Sequence, residues 1–137
     1  MLTISSSLKL FLDLAKAQSE LTRRLDASLN GLSLTEFRIL FHLDQARDQK
    51  LRRIDLAEKV GLTASGITRL LLPMEKIGLI KKEVNERDAR SSFVLLASGG
   101  KEKLEEEIER AELFCEERFK LTQKEVETLT KLLHQWG

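Results

Sequence analysis

This chain is poor in the residues that usually carry chemistry. Its 137 residues include one cysteine, one proline, two histidines and no tyrosine. A lone cysteine cannot close an intrachain disulfide. With two histidines it makes no zinc site of familiar spacing, so neither a metal nor a cofactor is expected. A nucleophile–base pair, a metal-ligand set and a phosphate-binding glycine loop are all missing, and an enzyme is not expected. The aromatic residues are six Phe and one Trp, and only Phe93 lies near the basic segment, which argues against a stacking surface for RNA or single strands. No apolar run reaches the roughly 18 residues needed to span a bilayer. Lys9 and Asp13 interrupt Leu8, Leu10, Phe11 and Leu12, and no small-residue cleavage site follows. A secretory signal is therefore not expected, and the cytoplasm is the expected location.

What is present suits one helix-rich domain, or one small core with helical extensions: 42% of the residues are hydrophobic and 33% charged. The net charge of +1 conceals an uneven distribution. Residues 1–49 balance six basic against six acidic side chains, residues 50–90 carry ten against six, and residues 91–137 carry seven against ten. Positive charge thus collects in the middle of the chain, as phosphate binding requires.

Phe11, Leu14, Gln18, Leu21, Leu25 and Leu29 keep a three-to-four-residue beat that predicts a first helix over 5–29, ended by Asn30-Gly31. Leu8, Leu10, Leu12 and Ala15 add a second apolar side, which in so short a chain is expected to meet another subunit. Ser33 and Glu36 have capping-box spacing ahead of a second helix with Phe37, Leu40, Phe41 and Leu43 on its apolar face. Gln45 to Lys50 reads as a loop. A third helix, Ile54 to Val60, follows Arg52 and Arg53, where a hydroxyl or Asp cap would serve better, and stops at Gly61.

The fourth helix starts behind Thr63 with Ile67, Leu70, Leu71 and Met74 inward, and Pro73 is expected to kink or break it. Leu79–Val84 and Ser92–Leu96 read as a two-stranded hairpin around a charged loop. Ser98-Gly99-Gly100 precedes a fifth helix with Leu104, Ile108, Ala111, Cys115 and Phe119 on its apolar stripe. Cys115 there reads as a small buried hydrophobe, and the run Glu105-Glu106-Glu107 with Glu109 and Glu112 as a solvated face. Thr122 and Glu125 repeat the capping box before a sixth helix lined by Val126, Leu129, Leu132, Leu133 and Trp136. The fold class expected is mainly α with a small β-hairpin wing. It is a winged helix-turn-helix with N- and C-terminal dimerisation helices.

In order along the chain, Leu32-Ser33 with Phe37, Ile39 and Leu40, then Leu56-Ala57-Glu58, Gly61-Leu62-Thr63 and Thr68-Arg69-Leu70-Leu71 resemble the MarR family of bacterial and archaeal transcription regulators. Met74 to Ile80 is similar to that family's exit into its wing, Asp88-Ala89-Arg90 to its Asp-x-Arg, and Leu96 to Gly100 to its Leu-Thr-x-x-Gly. Three positions depart from the pattern. Ala97 replaces the threonine, leaving Ser98 as candidate cap; Pro73 stands where a charged residue is commoner; Arg53 stands near a usual small hydroxyl cap.

The resemblance implies one domain over 1–137, with a DNA-binding lobe at 30–100 and a helical dimerisation region at 1–29 and 101–137. It implies a sequence-specific regulator, in the repressor mould, that binds a pseudo-palindrome in double-stranded DNA as a homodimer, with two recognition helices about 10 base pairs apart. A small-molecule effector would modulate the spacing of the lobes, but no motif points to its ligand residues. Ser65, Gly66, Thr68 and Arg69 would contact DNA from the start of the fourth helix, and Thr63 would cap that helix beside a phosphate. Arg87 and Arg90 would contact DNA from the wing, Arg90 in the minor groove and oriented by Asp88. Without the resemblance, the same residues suit a solvated helix face and a surface salt bridge. The alternative function is a winged-helix module that holds a protein partner and no DNA.

Overall fold

The computed structural model describes the whole chain except residues 85, 86 and 89–91. Its elements are α1 (Ser6–Ser28), α2 (Leu34–Gln45), a 3-10 turn (Arg47–Gln49), β1 (Lys50–Arg52), α3 (Arg53–Val60) and α4 (Ala64–Lys76), then β2 (Ile80–Glu83), β3 (Phe93–Leu96), α5 (Ser98–Phe119) and α6 (Gln123–Trp136). The fold is mainly helical with a small antiparallel sheet, as expected. Hydroxyl side chains of Ser5, Ser33, Thr63 and Thr122 start four of the helices by accepting a backbone N–H three residues on. Both expected capping boxes form: the Ser33 N–H donates to Glu36 Oε1 at 2.9 Å, and the Thr122 N–H to Glu125 Oε1 at 3.0 Å.

The core is a single cluster. Ile39, Leu40 and Leu43 of α2, Leu56 and Val60 of α3, Ile67, Leu71 and Met74 of α4, and Leu104 of α5 are all at most 3% exposed. Full burial of such a side chain contributes about 1.5–3 kcal/mol. The sheet closes one end of this cluster through Ile80 and Val94. Phe41, expected inward, is 40% exposed, because Leu40 and Leu43 already fill the stripe of α2 that meets the core.

The wing is a three-stranded sheet in the order β1-β3-β2 rather than a two-stranded hairpin. β1 pairs Lys50 with Leu95, Leu51 with Val94 and Arg52 with Phe93, and β2 pairs Ile80 with Leu96 through to Glu83 with Phe93. The expected loop therefore ends one residue earlier. A three-residue strand has little pattern of its own and forms because β3 offers it a free edge.

Pro73 does not break α4, which runs as one helix to Lys76. The proline sits in the last turns, where one missing N–H removes one bond, while Leu71 and Met74 on either side are held in the core at 1% and 0% exposure. Two other chain turns differ from expectation. α1 ends on an extended Leu29, with the left-handed Gly31 (φ +76°) two residues beyond. Ser98 is the first residue of α5 and not its cap; the cap position is Ala97, which has no side chain to offer, and Gly99 and Gly100 lie inside the helix. A Cβ on Gly100 would collide with the Leu79 carbonyl, and one on Gly99 would lie 2.8 Å from the Gly78 carbonyl oxygen. The start of α5 thus rests directly on the backbone of the α4–β2 corner.

Glu107 overturns the expectation of a solvated acidic face. It is fully buried (0% exposed). Its Oε2 accepts the Asn30 N–H at 3.0 Å, and its Oε1 meets Lys103 Nζ and Arg110 NH1, each at 3.2 Å. Lys103 also donates to the Asn30 carbonyl oxygen at 2.6 Å. Both backbone groups of the residue after α1 are therefore gripped by α5. Asp26 Oδ1 accepts the Leu34 N–H at 2.6 Å and braces the same elbow against α2.

No residue within α1 or α6 is buried in the single chain. Leu10, Phe11, Leu12 and Leu14 of α1, Leu113 and Phe119 of α5, and Leu129, Leu133 and Trp136 of α6 are all at least 38% exposed.

Glu107→Ala should lower stability by about 1–3 kcal/mol in denaturant unfolding, because it removes the acceptor of the Asn30 N–H and the carboxylate that Lys103 and Arg110 share. Gly100→Ala should cost about 1–3 kcal/mol by forcing α5 off the Leu79 carbonyl. A parent-like midpoint for either variant would remove the corresponding contact from this account.

Candidate nucleic-acid interface

The turn between α3 and α4 is set by Gly61, whose φ of +69° is left-handed and whose N–H bonds the carbonyls of Ala57 and Glu58. Glycine adopts this conformation without the Cβ penalty. The Leu62 N–H returns to the Ala57 carbonyl at 2.9 Å, which closes the turn. Thr63 then caps α4: its Oγ1 accepts the Gly66 N–H at 3.0 Å and lies 3.3 Å from Ser65 Oγ. A Cβ on Gly66 would come within 3.1 Å of Thr63 Oγ1, so this glycine has a local reason to be small.

Because Ile67, Leu71 and Met74 take the inner stripe of α4, Thr63, Ser65 and Arg69 are left exposed and Thr68 half-buried. The structure thus brings the five expected residues of this segment onto one helix start. Arg87 and Asp88 are exposed, in the segment between β2 and β3. Arg90 lies outside the described residues, and so does its expected pairing with Asp88.

Thr68 is not alone. Its hydroxyl donates to the Ala64 carbonyl at 2.9 Å, and its oxygen accepts Arg53 NH1 at 3.2 Å. Arg53, expected to precede α3 near its cap, is instead the first residue of that helix, with Arg52 at the cap position; no sequence signal pointed to its contact with Thr68. Beside it, Arg53, Ile54, Thr68, Leu71, Lys82, Val84 and Phe93 line a mostly apolar cleft of about 430 Å³ between α3, α4 and the sheet. Phe93 is flanked by two cations of β1, Lys50 Nζ at 4.8 Å and Arg52 Cζ at 5.9 Å from the ring centre. Lys50 also pairs with Glu83 at 3.7 Å, and Lys82 with Glu75 at 3.9 Å. Lys50 and Lys82 thus each face a carboxylate, while Arg53 of α3 and Arg69 of α4 are exposed cations.

Cys115 is exposed, against expectation. Partial burial and, less strongly, the Glu112 carboxylate push its thiol pKa up, which disfavours the reactive thiolate. His42 is held below the usual imidazole range by partial burial and by Lys59 and Arg38. Among the described residues no group of three or more His, Cys, Asp or Glu could hold a metal ion, and no helix is long and apolar enough to cross a membrane.

Residues 32–92 match the model of the MarR family. Over 104 residues the chain is 30% identical to the HTH-type transcriptional repressor YetL of Bacillus subtilis, across 74% of this chain and 62% of YetL. The chain therefore spans about three-fifths of that relative's length. A MarR family regulator of Streptomyces coelicolor, solved in complex with DNA, superposes with a TM-score of 0.80 at 20% identity, over 98% of this chain and 88% of that one. Bordetella bronchiseptica BpsR, whose DNA binding is regulated by 6-hydroxynicotinic acid, superposes with a TM-score of 0.82 at 18% identity, over 93% and 98%. Likeness at these identities establishes a shared fold.

Thr63→Ala should destabilise the chain by about 1 kcal/mol through loss of the α4 cap, and Thr63→Ser should restore most of it. Thermal unfolding of the three proteins checks this; equal midpoints would mean that the cap contributes nothing.

Proposed function

We propose that the chain, whose residues 32–92 match the model of the MarR family, is a MarR-type protein: a cytoplasmic, homodimeric regulator of transcription that binds double-stranded DNA. The observation that carries the reading is the start of α4, with Ser65 and Arg69 exposed and Thr68 half-buried between them, within the one segment of the chain where basic residues outnumber acidic ones. A helix held by its inner stripe and free on its outer one can enter a major groove. Thr63 and its neighbouring N–H groups, Gly66, Arg87, Asp88 and Arg90 complete the proposed contact set, with Arg90 as the minor-groove probe. The repressor activity of YetL and the DNA complex of the Streptomyces relative support duplex DNA as the partner.

The exposed apolar sides of α1, α5 and α6 support the homodimer. They would interleave with those of a second copy, so that 1–29 and 101–137 form the dimerisation region and 30–100 the DNA-binding lobe. Two lobes would then read a pseudo-palindrome at a half-site spacing of about 10 base pairs. The regulation of BpsR by 6-hydroxynicotinic acid supports a small-molecule effector here too. Such a molecule would act only through different affinities for different lobe spacings.

Arg69→Ala and Arg90→Ala should each weaken binding to a duplex selected from random DNA by roughly tenfold or more, with the dimer intact by sedimentation; Arg90→Ala should also flatten the salt dependence. If both variants bound like the parent across a salt titration, the contact surface would be wrong. Failure of the parent itself to select any duplex would favour the protein-interaction module instead.

A further inference from the structure

The hydrogen bonding at the outer face of α4 gives Thr68 a different part from the one its exposure suggests. A threonine hydroxyl has one proton and two lone pairs. The proton of Thr68 is committed to the Ala64 carbonyl at 2.9 Å, and one lone pair to Arg53 NH1 at 3.2 Å. An approaching phosphate oxygen needs a donor, and Thr68 has none left. Arg53 has. Its guanidinium carries five N–H groups in a rigid fork, of which Thr68 takes one, and the residue is exposed at the first turn of α3. The fork therefore sits beside α4 although it comes from another helix, and it lines the same cleft as Lys82. Lys82 already pairs with Glu75.

We propose that Arg53 grips a phosphate of the duplex as α4 enters the major groove, and that Thr68 is a positioning residue that aims its fork. This rests on the DNA-binding reading above. The partner chemistry is a backbone phosphate, which matches the planar fork with two parallel charge-assisted bonds. A cation at the mouth of the groove, one helix removed from the bases, fixes how deep α4 sits without reading sequence. Arg53 is the first residue of α3, one place inside the Arg52 cap position, so its fork leaves the helix at the end nearest α4.

The test uses the full chain and two duplexes of equal length, one selected from random DNA by the parent and one scrambled, with affinity followed across a salt series. Arg53→Ala should weaken binding to both duplexes by on the order of tenfold and lower the slope of log affinity against log salt by about one. Arg53→Lys should keep the slope and lose part of the affinity. Thr68→Val should lose a fraction of what Arg53→Ala loses, Thr68→Ser should bind like the parent, and Thr68→Val should cost nothing further when Arg53 is already Ala. Parent-like binding by Arg53→Ala overturns the proposal. So does a loss confined to the selected duplex, which would make Arg53 a base reader, or an equal cost of Thr68→Val in both backgrounds, which would make Thr68 a direct contact. Absence of duplex binding by the parent would sink the DNA-binding reading instead.

Discussion

The register of α4 on the core is the constraint from which the rest of the molecule takes its sense. Ile67, Leu71 and Met74 leave no freedom of rotation, because turning the helix by one residue would expose about 100° of apolar stripe and bury Arg69. Everything outward on α4 is therefore determined by what is inward. The Thr63 cap and the left-handed Gly61 start the helix at one residue and in one direction, and the buried pair around Pro73 carries it on to Lys76. A surface of hydroxyls and guanidinium groups, held this way, needs no rearrangement of its own backbone to meet a groove.

The second constraint is electrostatic. Glu107 is a charge without water, and such a charge persists only where hydrogen bonds and opposite charge replace hydration. Asn30, Lys103 and Arg110 supply that replacement. The consequence is directional: a carboxylate satisfied by one backbone N–H and two cations tolerates little sliding, whereas the apolar contacts around it would tolerate more. The elbow between α1 and α2 is thus tied to α5 by geometry as well as by burial.

Much of this was legible in one dimension. Capping boxes, left-handed glycines and the 3.6-residue beat are short-range signals, and they placed the starts of α1 to α4 and α6 within a residue or two, whereas α5 starts at Ser98, ahead of the two glycines expected to precede it. What escaped depended on partners far along the chain. β1 exists through the edge of β3. Glu107 looks like Glu105 and Glu106 until Asn30 is brought to it. Arg53 looked like a missing cap until Thr68 stood opposite. Cys115 was misjudged for the converse reason: its stripe is apolar by sequence, but it is exposed in the single chain. The start of α4 was readable because its residues are sequence neighbours, whereas the arginine beside it was not.

Gly99 and Gly100 bear on how movement would travel. Where side chains separate two packed elements, small displacements are absorbed by rotamer changes. At this junction backbone rests on backbone, with the Leu79 carbonyl under Gly100 and the Gly78 carbonyl under Gly99. The Ala97 N–H pins the same spot by donating to the Leu79 oxygen at 3.1 Å. A tilt of α5 would therefore press on the backbone of the α4–β2 corner with no side chain between to absorb it. The long helix meets that corner through a pair of hydrogen atoms where other residues would carry side chains.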